Sequence, residues 1–148
     1  MAITHSVEIS RSPEDVFAYI DDLARHGEWQ EQVTAVTVTP DGPTAVGTRS
    51  TETRRIGNRE QVMTYEVVRR DPPRSFSFRG VDGPIRAIGT GTVEPLDNGA
   101  RSLVTIELDF EGHGLGKLML PLVKRQASKQ VPKDQARLKE RLEHPAAG

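Results

Sequence analysis

From Val33 to Phe110 the chain divides into six strand-length segments, each ended by a turn rich in glycine, proline or asparagine. Strands joined by such short connections pair antiparallel, and a sheet of alternating strands leaves one apolar face that another element must cover. The predicted strands begin with Val33–Thr39, which ends at Pro40-Asp41-Gly42-Pro43. Gly47–Ile56 and Gln61–Arg70 follow, joined at Gly57-Asn58, and Asp71-Pro72-Pro73 closes the second because neither proline can donate to a ladder. Then come Ser75–Arg79, Ile85–Glu94 and Ser102–Phe110, the last with Val104, Ile106, Leu108 and Phe110 on one side.

Covers for the apolar face lie at both ends of this run. Ile3–Ile9 alternates as a further strand, with Ile3, His5, Val7 and Ile9 on one face. Ser12 as N-cap, Pro13 at the first helical position and Asp15 at capping-box spacing start a helix. Its stripe is Val16, Phe17, Ile20, Leu23 and Ala24, and it is expected to stop near His26-Gly27, with a second short helical piece around Glu28–Gln32. After the last strand, Gly112-His113-Gly114-Leu115-Gly116 reads as a flexible hinge into a helix over Lys117–Glu143, roughly 40 Å long. Leu120, Val123, Ala127, Val131, Leu138 and Leu142 form its stripe. Pro121 fits the first turn, whereas Pro132 predicts a kink or split near Ala127–Gln130; either this rotates Asp134 and Gln135 away from the sheet, the favoured reading, or one of these polar side chains looks towards it. The tail His144–Gly148 is expected to fray. The expectation is one α+β domain over residues 1–148, ordered from about 3 to 143, whose long C-terminal helix lies across a curved antiparallel sheet and encloses a cavity for an apolar small molecule.

Composition narrows the function. Twenty basic residues against 21 acidic ones leave no global field that recruits nucleic acid or an anionic membrane, and the absence of cysteine removes disulfides, thiol nucleophiles and thiolate-held metals. The four histidines lack metal-ligand spacing, so neither metal nor cofactor is expected. Residues 1–10 alternate like a strand rather than a signal peptide, and no run approaches the ~18 apolar residues of a membrane span. A cytoplasmic protein without stable membrane insertion, monomeric or weakly dimeric, is the expectation.

Two strands look unlike core strands. Gly47–Arg55 has no large apolar residue on either face, so it is either a wet edge or the polar wall of a cavity, with Glu52 and Arg54 alternating as a solvated or a ligand-orienting pair. In Gly89-Thr90-Gly91-Thr92-Val93 the glycines share a face, which fits a strongly curved strand or room left for a ligand. Tyr65, on the face of Met63 and Val67, can aim its hydroxyl inward or simply pack. Trp29, the only tryptophan, can stack on a ring-bearing ligand or belong to the core. The predicted lining is Trp29, Tyr65, Phe76, Phe78, Arg79, Gly91, Leu108, Phe110, Val123 and Ala127, and the only nominees for acid–base work are Arg79, Tyr65 and Glu52.

Several runs recur together in one known family. They are Ser12-Pro13-Glu14-Asp15-Val16-Phe17, Glu28-Trp29, Val46-Gly47-Thr48, Tyr65-Glu66-Val67-Val68 with Pro72-Pro73-Arg74, and Gly89 to Pro95. In order and spacing the chain resembles the START/Bet v 1-like superfamily in its bacterial polyketide cyclase/dehydrase-like (SRPBCC) branch, from about residue 3 to 143. The resemblance implies a helix-grip fold: seven antiparallel strands around a long C-terminal helix, with two short helices between the first two strands. It also implies an apolar ligand (sterol, lipid or aromatic polyketide) between sheet and helix, and, in some members, cyclase, aromatase or dehydrase chemistry. Arg79 ahead of Gly83-Pro84 matches a pocket arginine of the aromatase/cyclase members, and Trp29 matches a tryptophan they carry. Their second-strand tyrosine has no counterpart in Thr34–Thr39.

Overall fold

A computed structural model describes residues 2–145; the predicted fraying of the tail falls largely on residues 146–148, outside the described residues. The chain runs β1 (Ile3–Ile9), α1 (Pro13–Asp21), a 3-10 turn (Leu23–Glu28), β2 (Val33–Thr39), β3 (Arg49–Ile56), β4 (Arg59–Asp71), β5 (Ser75–Gly80), β6 (Ile85–Leu96), β7 (Arg101–Gly112) and α2 (Gly116–Glu143). The strands form one antiparallel sheet in the order β1-β7-β6-β5-β4-β3-β2. All seven predicted strands are present, and Gly57-Asn58 is the two-residue turn that sets Ile56 opposite Arg59.

The core fills only one end of the grip. Ile9, Val16, Phe17, Ile20, Trp29, Val93, Val104, Leu138 and Leu142 are buried together, so α1 and the last turns of α2 close the sheet over β1, β6 and β7. Ser12 caps α1 as expected, its hydroxyl accepting from the Asp15 N–H at 3.2 Å. The helix ends at Asp21 rather than near His26, because Asp22 leaves the helical region (ψ 86°), and the second helical piece is the 3-10 turn at Leu23–Glu28, not Glu28–Gln32. Three residues per turn put Leu23 and His26 on one line, and both are buried.

Two expectations about α2 are overturned. The helix runs unbroken through Pro121 and Pro132. Each proline leaves one carbonyl without its helical partner, at Lys117 and Ser128, and both residues are exposed, where water can serve them. The polar stretch is also not turned away: Asp134 and Gln135 are both buried. Gln135 is accommodated because its amide oxygen meets His5 Nδ1 and its nitrogen donates to the Val104 carbonyl at 3.4 Å.

The glycine-rich entry to α2 is a close-packed corner rather than a free hinge. The His113 N–H donates to the Pro84 carbonyl at 2.8 Å, and a Cβ on Gly116 would stand 2.1 Å from that same oxygen. Only glycine lets the helix start against the β5–β6 turn.

At the other end of the core, Arg70 holds Asp21 by two bonds of 2.9 and 2.6 Å, with its guanidinium 5.8 Å from the Phe17 ring. This ties the end of α1 to β4. The pair is partly exposed, so Arg70→Ala is expected to cost about 1 kcal/mol, or about 2–4 °C in a thermal melt. A melting temperature unchanged in R70A would show that α1 is held without it.

Candidate functional site

β3 is an interior strand, paired to β2 on one side and β4 on the other. Its alternation therefore divides a solvent face from an enclosed one, and Ser50 and Glu52 fall on the enclosed face at 0% and 2% exposure. The wet-edge reading of this strand is thereby overturned: its inner face is polar and enclosed.

Around Glu52 the fold gathers a polar cluster from three elements. Glu52 lies opposite Met63, and Ser50 opposite Tyr65, so Tyr65 from β4 reaches diagonally and donates its hydroxyl to Glu52 Oε1 at 3.2 Å. Arg54 follows two residues along β3 and donates to Glu52 Oε2 at 2.9 Å and to the Gln30 side chain. His26 comes from the 3-10 turn. Its Nε2–H donates to the Ile20 carbonyl at 2.7 Å, which turns Nδ1 towards Glu52 Oε1 (3.4 Å) and the Tyr65 hydroxyl (3.3 Å). A neutral ring offers a lone pair there that accepts from Tyr65; a protonated ring offers an N–H that Glu52 accepts. Trp29 stands edge-on to His26 with ring centres 5.3 Å apart.

The electrostatics assign protonation states. Burial on its own raises the Glu52 carboxyl, but the hydrogen bond to His26 and the Arg54 charge outweigh it and hold the group below its ordinary 4.5. Burial, reinforced by the Glu52 charge, pushes the Tyr65 hydroxyl far above its ordinary 10. Glu52 is thus an ionised acceptor and Tyr65 a neutral donor at physiological pH. Nearby on α2, burial raises Asp134 despite hydrogen bonds from Gln130 (2.9 Å) and the Glu31 N–H (3.4 Å).

Beyond Tyr65 the concave face turns apolar. The Tyr65 ring packs on Phe78 with centres 5.1 Å apart. By register Met63, Phe78, Ile106, Leu108 and Phe110 share the inward face with Glu52 and Val104. All five keep part of their surface accessible, as do Val123 and Ala127 on α2, whereas Val93, Val104 and Leu138 at the closed end keep almost none. This half of the inward face is therefore less tightly enclosed than the closed end. Glu52 and His26 are buried, while Tyr65 and Arg54 (side chain 23% exposed) keep part of their surface accessible. In addition, among the described residues the buried Ser50 hydroxyl and Trp29 indole nitrogen meet no hydrogen-bond partner.

The predicted site residues therefore separate. Tyr65, Phe78, Leu108 and Phe110 come together on one face, with Val123 and Ala127 on the helix across from it. Glu52 belongs to the site but lies beneath Tyr65 and Arg54. Trp29 is 6% exposed and part of the core. Phe76 turns to the closed end, edge-on to Phe17 at 6.2 Å. Gly91 provides no ligand room, since a Cβ there would lie 2.3 Å from the Phe76 ring, and Gly89 accommodates Phe78 in the same way. The glycines make room for neighbouring rings. Arg79 is the clear correction: it alternates with the inward Phe78, so the pleat turns it outward, 60% exposed and 3.4 Å from Glu111. Sequence reasoning missed His26, Gln30, Ser50 and Asp134. The available signal was Ser50-x-Glu52-x-Arg54 on a strand flanked by hairpins on both sides, which cannot be wet on two faces.

With this geometry in hand, comparison with known proteins gives a consistent result. The profile of the family described as polyketide cyclase / dehydrase and lipid transport matches residues 1–143. Among solved structures, a protein from Thermus thermophilus is 20% identical with a TM-score of 0.80, over 99% of this chain and 100% of that one. A START superfamily protein from Mycobacterium smegmatis is 17% identical with a TM-score of 0.79, over 98% and 99%. An aromatase/cyclase from a Streptomyces species is 12% identical with a TM-score of 0.81, over 100% and 99%. At these identities the likeness carries the fold. No curated protein matches the sequence significantly.

Proposed function

The chain belongs to the polyketide cyclase/dehydrase and lipid transport family, and we propose that it binds an apolar small molecule, lipid- or aromatic polyketide-like, between the sheet and α2. The carrying observation is that Met63, Phe78, Ile106, Leu108 and Phe110 face inward yet remain accessible. An apolar lining with few convergent polar groups is the usual form of a small-molecule site. At its end the Arg54 guanidinium keeps N–H groups to donate, whereas the Tyr65 hydroxyl, its one proton committed to Glu52, can only accept, so the ligand's polar group is a carbonyl or carboxylate facing Arg54 or a hydroxyl facing Tyr65. Glu52 positions both groups from behind, and His26 lies against Tyr65.

The contact of Tyr65, Glu52 and His26 within 3.2–3.4 Å favours a second reading, acid–base catalysis of the cyclase, aromatase or dehydrase type. Against it, Glu52 is held ionised and Tyr65 protonated, which makes the first a weak base and the second a weak acid. Binding is the better supported of the two.

Isothermal titration with fatty acids, sterols and polycyclic phenols tests the proposal. Ala127→Phe, which adds bulk on the half-buried face of α2, is expected to weaken binding about tenfold or more without lowering the melting temperature. Tyr65→Phe should cost about 0.5–1.5 kcal/mol, only for ligands carrying a hydroxyl or other donor group. Equal affinity in wild type and A127F for every ligand bound would contradict this placement.

A further inference from the structure

The first two turns of α2 present an apolar stripe to solvent. Leu115, Leu118, Met119 and Leu122, at helical spacing, are 82%, 81%, 41% and 58% exposed. Solvated apolar clusters of this kind mark interaction surfaces. The charge around them is one-sided. From Gly112 to Lys133 the sequence holds Lys117, Lys124, Arg125, Lys129 and Lys133 and no acidic residue, in a protein whose net charge is −1. Lys124 is engaged by Asp109 at 3.2 Å; among the described residues the other four form no ion pair, and all four are exposed. Helical spacing carries Arg125, Lys129 and Lys133 along the stripe that the leucines begin. Of the neighbouring acids, Glu111 is shared between Arg79 and His113, Asp109 is engaged by Lys124, Asp134 is buried, and Asp82 lies on the turn adjoining the start of α2.

We propose that this segment is a membrane-docking surface, and that the N-terminal half of α2 seats on an anionic lipid bilayer. The leucine tip enters the headgroup boundary, and the basic stretch behind it lies over the lipid phosphates. A bilayer accepts a convex apolar tip flanked by cations without needing a shaped complement, and charge complementarity selects an anionic one. α2 itself is not long and apolar enough to cross, so the contact is peripheral and salt-sensitive. The inference does not depend on what the grip holds; ligand-free protein is expected to dock.

The test is co-sedimentation of the full chain with phosphatidylcholine vesicles and with vesicles containing phosphatidylserine. Wild type should bind the second at least tenfold more tightly than the first, and lose that preference in high salt. Leu118→Ser with Leu122→Ser, and separately Arg125→Glu with Lys129→Glu, should each weaken binding more than tenfold. These side chains are solvent-exposed, so the melting temperature is expected to hold. Wild type that ignores anionic vesicles, or variants that bind as wild type does, would overturn the proposal. So would sedimentation equilibrium showing a wild-type dimer that L118S/L122S makes monomeric, since the stripe would then be a self-association face.

Discussion

Replacing Glu52 with alanine is expected to destabilise the protein by about 3 kcal/mol or more, a fall of about 6–12 °C in melting temperature. The loss is large because Glu52 is 2% exposed and serves Tyr65, Arg54 and His26 at once. Removing it takes away the one acceptor that Tyr65 and Arg54 share and leaves a cavity in the buried wall, with only Gln30 and His26 still in contact with them. Glu52→Gln keeps the volume and an acceptor and should cost less than the alanine. The same residue sets a pH signature. Its folded carboxyl is held below 4.5, so as pH falls through 4.5 the unfolded chain takes up a proton that the folded one refuses. Its contribution is therefore constant above about pH 5 and is lost as pH falls through the depressed folded value. Asp134, raised by burial, works in the opposite direction. Melting curves from pH 7 to 3 should show a shallower acid limb in E52Q than in wild type. Parallel limbs would mean that Glu52 is not held ionised by this cluster.

The second large effect is expected where strand and ring meet. Gly91→Ala places a methyl 2.3 Å from the Phe76 ring, which cannot retreat without leaving Phe17. Overpacking of this kind costs about 1–3 kcal/mol, and Phe76→Ala alone costs about 3–5 kcal/mol. The informative quantity is their coupling. With the ring gone, alanine at 91 meets open space on a strand that favours it over glycine, so G91A in the F76A background should cost nothing or stabilise. Urea unfolding of the two single variants and the double gives the coupling directly. Additive losses would mean that glycine at 91 serves backbone curvature rather than the ring.

Those glycines also show where sequence reading stops. Alternation and turn residues were sufficient for seven strands and the long helix, because one-sided burial imposes period two on a strand and 3.6 on a helix. That Gly89 and Gly91 share a face was legible; that their space belongs to Phe78 and Phe76 depends on the β5–β6 register, which neither strand encodes alone. Arg79 failed for a local reason, since its parity with Phe76 and Phe78 already turned it outward while the family pattern pointed inward. His26 was invisible because its burial follows from 3-10 winding after Asp22. Gln135 and Asp134 look like a break in an apolar stripe until His5, Val104 and the Glu31 amide are brought opposite them by packing. Only Glu52 with Arg54 carried a usable signal, an ion pair on a strand too central to be wet on both faces.

Native mass spectrometry of the protein, purified without denaturant from its own organism, bears most directly on the central claim that the open half of the grip holds an apolar molecule. The expected spectrum contains a discrete non-covalent adduct that leaves on denaturation and is absent from Ala127→Phe prepared in the same way. A bare protein mass in repeated preparations, still bare after challenge with fatty acids, sterols and polycyclic phenols, would contradict it.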